Sequence, residues 1–156
     1  SNAGLLVIMI LMFIGASPGS TGGGIKTTTF FVLMQQVRSI FSKRRLGGFH
    51  RRLPDGSLSK AATIMLMGLM VVGCGTFALC VLEPQLDFGR LLFEQISAYS
   101  TAGLSTGITA ELCPASRVVL ILTMFIGRVG AVTLLSLWVE RPAPSAQYTE
   151  ENITIG

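Results

Sequence analysis

Apolar residues along this chain come in long runs, and two stretches of a different kind separate them. Residues 4–14 are almost wholly apolar until Gly15-Ala-Ser-Pro-Gly-Ser-Thr-Gly-Gly-Gly24 interrupts them. So many glycines around Pro18 cannot remain helical. Helical character resumes near Ile25 and runs to Phe41. The second run, residues 61–82, carries no charge and meets the roughly 20-residue length of a membrane span. Asp55-Gly56 predicts a turn ahead of it, with Ser57 or Ser59 as its cap. The third run, 87–99, contains Arg90 and Glu94 and is too short and polar to cross a bilayer. It leads into Ser100-Thr-Ala-Gly-Leu-Ser-Thr-Gly107, so a re-entrant hairpin between two spans is expected. The fourth run, 118–139, is of spanning length with Arg128 at its centre, and a polar tail, 140–156, follows. The expected fold class is an all-α membrane protein. A broken helix (1–41, interrupted at 15–24) precedes a channel-like span–re-entrant pore helix–span repeat (61–139).

Composition strengthens this picture. Charged residues make up 13% of the 156 positions, against about 25% in soluble domains. A chain of this length cannot enclose a core large enough to explain the deficit, so lipid is the better solvent. Seven of the 12 basic residues lie between Arg38 and Lys60. Flanked by apolar runs, they read as a cytoplasmic loop at 42–60 under the positive-inside rule, not as a nucleic-acid grip. Parity then makes the chain multi-pass in the plasma or inner membrane, with residues 83–117 outside and the tail inside. Glu83, Asp87, Glu94 and Glu111 outnumber Arg90 and Arg117 there, which suits a face that accepts cations. Cys74, Cys80 and Cys113 have no CxxC spacing and are expected to be small apolar fillers. No charged n-region precedes the first run, so no signal peptide is expected, and sequence upstream is expected to be missing. Met12-Phe-Ile-Gly15 recurs as Met124-Phe-Ile-Gly127. The chain thus resembles the second half of one unit followed by a complete one.

Candidate chemistry lies in the interruptions. Irregular backbone at membrane depth is tolerated where it lines a water-filled path or is buried in protein. Glycine lets carbonyl oxygens turn to one axis, and carbonyl rings replace the hydration shell of potassium. Ser100–Ser105 is therefore the expected filter, with Ser100, Thr101, Ala102, Gly103 and Leu104 as its ion-binding residues and carbonyls near Thr101, Ala102 and Gly103 as ligands. The stretch holding Gly15, Ser17, Gly19, Ser20, Thr21, Gly22, Gly23 and Gly24, ending at Lys26, superficially resembles a phosphate loop. Ile25 stands between the last glycine and Lys26, however, and no strand precedes it, as that motif requires. A flexible intramembrane loop is expected instead, with Lys26 facing water or a partner. Arg128, mid-span, is functional by default, and carbonyls of that loop are its expected partners, with an electrostatic role second. An intramembrane hydrolase using Ser17, Ser20 or Ser100 would need a base within reach; the lone His50 lies in the basic loop. A membrane-anchored nucleotide-binding protein is the other rival.

The run from Met12 to Thr29 resembles the intramembrane loop of the Trk/Ktr/HKT superfamily of potassium transporters. Ser97-Ala-Tyr-Ser-Thr-Ala-Gly-Leu-Ser-Thr-Gly107 resembles the end of their fourth pore helix and its filter. Met124-Phe-Ile-Gly-Arg-Val-Gly130 resembles their last span with its arginine, and residues 148–156 are similar to the tail of Ktr-type subunits. The resemblance implies four span–pore-helix–span repeats around one pore, of which this chain holds the second span of the third and all of the fourth. It implies Gly103 as the filter glycine, Gly15–Gly24 as a gate loop below it, and Arg128 holding or opposing that loop. It further implies potassium as the ion with sodium as a candidate coupling ion. The implied partners are a second copy of the protein and a cytoplasmic nucleotide-binding regulatory (RCK-type) subunit.

Overall fold

The computed structural model describes residues 2–42, 47–48, 51–52 and 56–130. They form five helices: α1 (Asn2–Phe13), α2 (Thr27–Ser42), α3 (Ser57–Leu82), α4 (Phe88–Ser100) and α5 (Pro114–Val129). One 3₁₀ turn covers Ile108–Ala110. The basic loop adds a small antiparallel pairing of Gly47–Gly48 with Arg51–Arg52, which hydropathy did not announce. Residues 131–139 of the expected fourth span, the tail, His50 and Asp55 lie outside the described residues.

α3 is the one described helix long and apolar enough to cross a bilayer, while α1 is apolar but shorter. The expected serine cap of α3 is not formed. Gly56, with φ 86°, is the N-cap, and no side chain caps the helix. A left-handed glycine turns the chain so sharply that Ser57 already lies in the first turn. α1 and α2 are separate helices, and the chain between them is irregular from Ile14 to Lys26. The second begins at Thr27, beyond the expected restart at Ile25. Instead of starting that helix, Ile25 forms a parallel bridge to Ile14, and its N–H donates to the Phe13 carbonyl at 3.3 Å.

The short helix α4 sits in the middle, packed against α1, α3 and α5. Asp87 starts it by accepting a hydrogen bond from the Arg90 N–H at 3.3 Å, a side-chain cap that satisfies an orphan donor. Every residue from Phe93 to Ser100 is buried. Phe93, Ile96 and Tyr99 pack with Met12, Ile25 and Val72, while Leu91 and Ala98 pack with Leu79, Ile108, Leu112 and Leu120. Two apolar clusters thus hold opposite sides of one helix. Gly75 lets α3 approach so closely that a Cβ there would run into the Gln95 amide. Gln95 Nε2 in turn donates to Thr123 Oγ1 on α5 at 2.9 Å.

The connections are tied by a buried carboxylate. Glu83, which ends α3, accepts from the Cys113 N–H at 2.6 Å, Ser116 Oγ at 2.9 Å and Gln85 Nε2 at 2.8 Å. Cys113 is therefore more than filler: it is the N-cap of α5, with Pro114 in the first turn, where a missing N–H does no harm. Hydrogen bonds, led by that of the Cys113 backbone, hold the Glu83 carboxyl below the usual carboxylate range. Of the four acidic residues expected to attract cations, Glu83 and Glu94 are buried and Asp87 is a cap. Packing consumes the two glutamates, while Asp87, although it caps α4, and Glu111 remain exposed.

Candidate functional site

α4 ends in a paired turn: the Thr101 N–H donates to the Ala98 carbonyl and the Ala102 N–H to the Ser97 carbonyl, both at 3.1 Å. Such a turn usually places glycine or asparagine in the left-handed position. Here it holds Thr101, φ 53°, the one non-glycine residue with positive φ among those described. Strain of this kind amounts to about 1–3 kcal/mol and concentrates at functional sites. Gly103 also has positive φ, 75°, and a Cβ there would meet nothing within 4 Å. Its requirement is conformational, not spatial.

The carbonyl oxygens divide the expected filter in two. Among the described residues no hydrogen bond ends on those of Thr101, Ala102 or Gly103, whereas that of Leu104 accepts from Ser97 Oγ. Ser100 is the last residue of α4, and its hydroxyl donates to the Ile96 carbonyl at 2.8 Å. The arc of free carbonyls is thus Thr101–Ala102–Gly103, at the negative end of the α4 dipole. Beyond it, Glu94 Oε1 accepts from Ser105 Oγ at 2.6 Å, Thr106 N–H at 2.7 Å and Thr106 Oγ1 at 3.1 Å. Its Oε2 accepts from Thr109 Oγ1 at 3.0 Å.

The glycine-rich loop reaches this arc directly. The Gly23 N–H donates to Thr101 Oγ1 at 2.9 Å, and the Cβ position of Gly24 lies 3.4 Å from the Ser100 Cα. Within the loop, Ser20 Oγ accepts from the Gly22 N–H at 3.2 Å, and Gly15 lies so close to the Gly23 carbonyl that a side chain would collide. Gly19 and Gly24 adopt φ 84° and 76°. Ser17, Gly19, Ser20 and Thr21 are exposed. Lys26 Nζ curls back to donate to the Gly22 carbonyl at 2.6 Å and the Ser20 carbonyl at 3.2 Å, so the expected partner of this charge is the loop's own backbone.

Arg128 is brought to the same place by a second close approach. A Cβ on Gly127 would strike the Tyr99 carbonyl, so α5 can press against the end of α4 only with glycine there. Arg128 then lines a cavity of about 230 Å³ together with Gly22, Gly23, Gly24, Lys26 and Tyr99. Its side chain is exposed and makes no hydrogen bond among the described residues. Among the described residues, the side-chain tie to loop carbonyls is made by Lys26, on those of Gly22 and Ser20.

The rival readings find little support in this geometry. The loop follows helix α1, not a strand, and the Lys26 ammonium is engaged by the loop's own carbonyls. The Ser100 hydroxyl is turned back onto its own helix. Sequence reasoning missed the roles of Glu94, Ser97 and Glu83. The available signal was an acidic residue in a short buried helix followed within fifteen positions by several hydroxyl residues.

Comparison with known proteins gives a concordant result. The model of the TrkH family, described as cation transport protein, matches residues 1–150. The chain is 39% identical over its whole length to Ktr system potassium uptake protein D of Bacillus subtilis, covering 35% of that protein. It is 37% identical, again over its whole length, to potassium/sodium uptake protein NtpJ of Enterococcus hirae, covering 36% of it. Identity to Ktr system potassium uptake protein B of Vibrio alginolyticus is 34% over 97% of the chain and 33% of the relative. The chain thus spans about a third of the length of these relatives.

Proposed function

The chain belongs to the TrkH family of cation transport proteins, and we propose that it supplies one quarter of a potassium filter and the gate loop beneath it. The observation that carries this reading is the arc Thr101–Ala102–Gly103. Its carbonyls have no hydrogen-bonding partner among the described residues, and it lies between a short buried helix and the loop Gly22–Gly24. Unpartnered carbonyls at the end of a helix dipole suit a dehydrated monovalent cation. The filter would be completed by the three-quarters of such a pore that this chain does not contain.

In this reading α3 and α5 are spans, α4 is the re-entrant pore helix, and α1 and α2 are the two halves of a broken span. Exposed apolar side chains such as Leu66, Phe77, Ile121 and Phe125 would face lipid or the remaining repeats. The loop Gly15–Gly24 blocks the path below the filter when closed, and its glycines let it move aside. Arg128, beside that loop, raises an electrostatic barrier to cations when the gate is shut. Potassium is the transported ion, and sodium is the candidate coupling ion, as the name of the Enterococcus relative suggests. The protein works in the plasma or inner membrane as a homodimer. A nucleotide-binding regulatory subunit docks on the basic cytoplasmic loop and tail.

The full-length protein is expected to restore growth of an uptake-deficient bacterial strain at low potassium. Failure of rescue despite confirmed membrane insertion would overturn the reading.

A further inference from the structure

The arc of free carbonyls has anchored ends, and among the described residues nothing packs against Gly103 where a Cβ would stand. At its inner end the Ala102 N–H is held by the Ser97 carbonyl, and at its outer end the Leu104 carbonyl is held by Ser97 Oγ. Between the arc and the helices lies a cavity of about 320 Å³, lined by Glu94, Ser97, Thr101, Gly103, Leu120 and Met124 among others. Nothing stands within 4 Å of the Cβ position at Gly103. Among the described residues, the curvature beyond Thr101, which Gly23 touches, is therefore set by hydrogen bonds.

Most of those bonds on the outer limb converge on one carboxylate. Glu94, 5% exposed, gathers Ser105 Oγ, both the N–H and the hydroxyl of Thr106, and Thr109 Oγ1. It lies three residues before Ser97, on the same face of α4, so one helical face holds everything from Ala102 to Thr109. The Ser105 hydroxyl extends the network by accepting from the Gly107 N–H at 2.9 Å. Hydrogen bonds to a buried carboxylate are shorter and stronger than neutral ones, and the ionised group is acceptor-only, with both oxygens open to donors.

We infer that Glu94 is a positioning residue that fixes the filter's curvature and thereby its preference for potassium over sodium. It acts through Ser105, Thr106 and Thr109 without touching the ion. This rests on the pore reading above and goes beyond it by naming the group that sets specificity. The chemical consequence is direct: Glu94→Gln removes the charge and replaces one acceptor oxygen with an amide donor, so Thr109 Oγ1 must turn to accept or the Ser105 and Thr106 straps must give up a bond. Ser105→Ala removes one strap and leaves the charge in place.

The test is potassium and sodium uptake by the full-length protein in the uptake-deficient strain, with membrane abundance measured for each variant. Glu94→Gln should lower the potassium-to-sodium ratio about tenfold, the equivalent of losing one charge-assisted bond. Ser105→Ala should lower it by a smaller factor, and Glu94→Asp should recover part of the loss. A Ser105→Ala protein with unchanged ratio, beside a Glu94→Gln protein whose uptake of both ions falls equally, would overturn the inference in favour of a purely electrostatic role. If Glu94→Gln does not reach the membrane, Ser105→Ala and Thr109→Val decide the matter, and an unchanged ratio in both overturns it. No cation uptake by the unmodified protein would overturn the pore reading itself, and this inference with it.

Discussion

Gly127 and Gly73 are both helical glycines, yet their surroundings make them opposites. A Cβ on Gly127 would strike the backbone carbonyl of Tyr99, whereas one on Gly73 meets nothing within 4 Å. Backbone cannot step aside as a flexible side chain can, so Gly127→Ala should destabilise by about 1–3 kcal/mol or more. Gly73→Ala should be neutral or stabilising by up to about 1 kcal/mol, the helix propensity difference. Thermal unfolding of the detergent-solubilised protein separates the two. Equal melting temperatures for both variants would contradict the packing described. The repeated Met-Phe-Ile-Gly sequence marked both Gly15 and Gly127 from sequence alone, because identity at equivalent places is visible there. What each glycine touches was not visible, since Gly15 meets Gly23 and Gly127 meets Tyr99 only after folding. Glu94 and Glu83 were hidden for the same reason. Apart from Gln85, their partners lie 11 to 33 residues away, and hydropathy scores every carboxylate as surface.

Helices were readable where apolar runs were long, and their ends were not. The run 61–82 marks α3, but Gly56 and not a serine sets its start, because the left-handed turn there already places Ser57 in the first turn of the helix. The gap between α1 and α2 was readable from glycine content, while the bridge Ile14–Ile25 that delays the second helix was not. Between α3 and α5 the decisive element is the Glu83 tie. Hydrogen bonds lower its carboxyl in the folded chain, so its stabilisation is present above the unfolded value, about 4.3 for glutamate. It is lost as pH falls through the lower folded value. Stability of the unmodified protein should therefore exceed that of Glu83→Gln at neutral pH, and the two should converge in acid. Chemical denaturation at a series of pH values reads this difference. A gap that persists unchanged into strong acid would refute the assignment.

At the scale of the molecule, the chain joins two breaks in regular structure through a few atoms. The loop's Gly23 N–H meets Thr101 Oγ1, and Thr101 is the strained residue at which the free carbonyls begin. A movement of the loop would therefore be felt at the first residue of the arc, which links the two without an intervening element. Lys26 holds the loop to itself, leaving the Arg128 charge exposed at the cavity between them. The proposed filter role of the arc connects this geometry to transport. The most direct measurement is the potassium-to-sodium uptake ratio of the full-length protein carrying Gly103→Ser. There is room for the serine, but the left-handed φ of 75° disfavours any side chain, so the carbonyls should shift and sodium should be admitted more readily. A protein that reaches the membrane, takes up potassium and keeps the unmodified ratio would contradict the filter assignment.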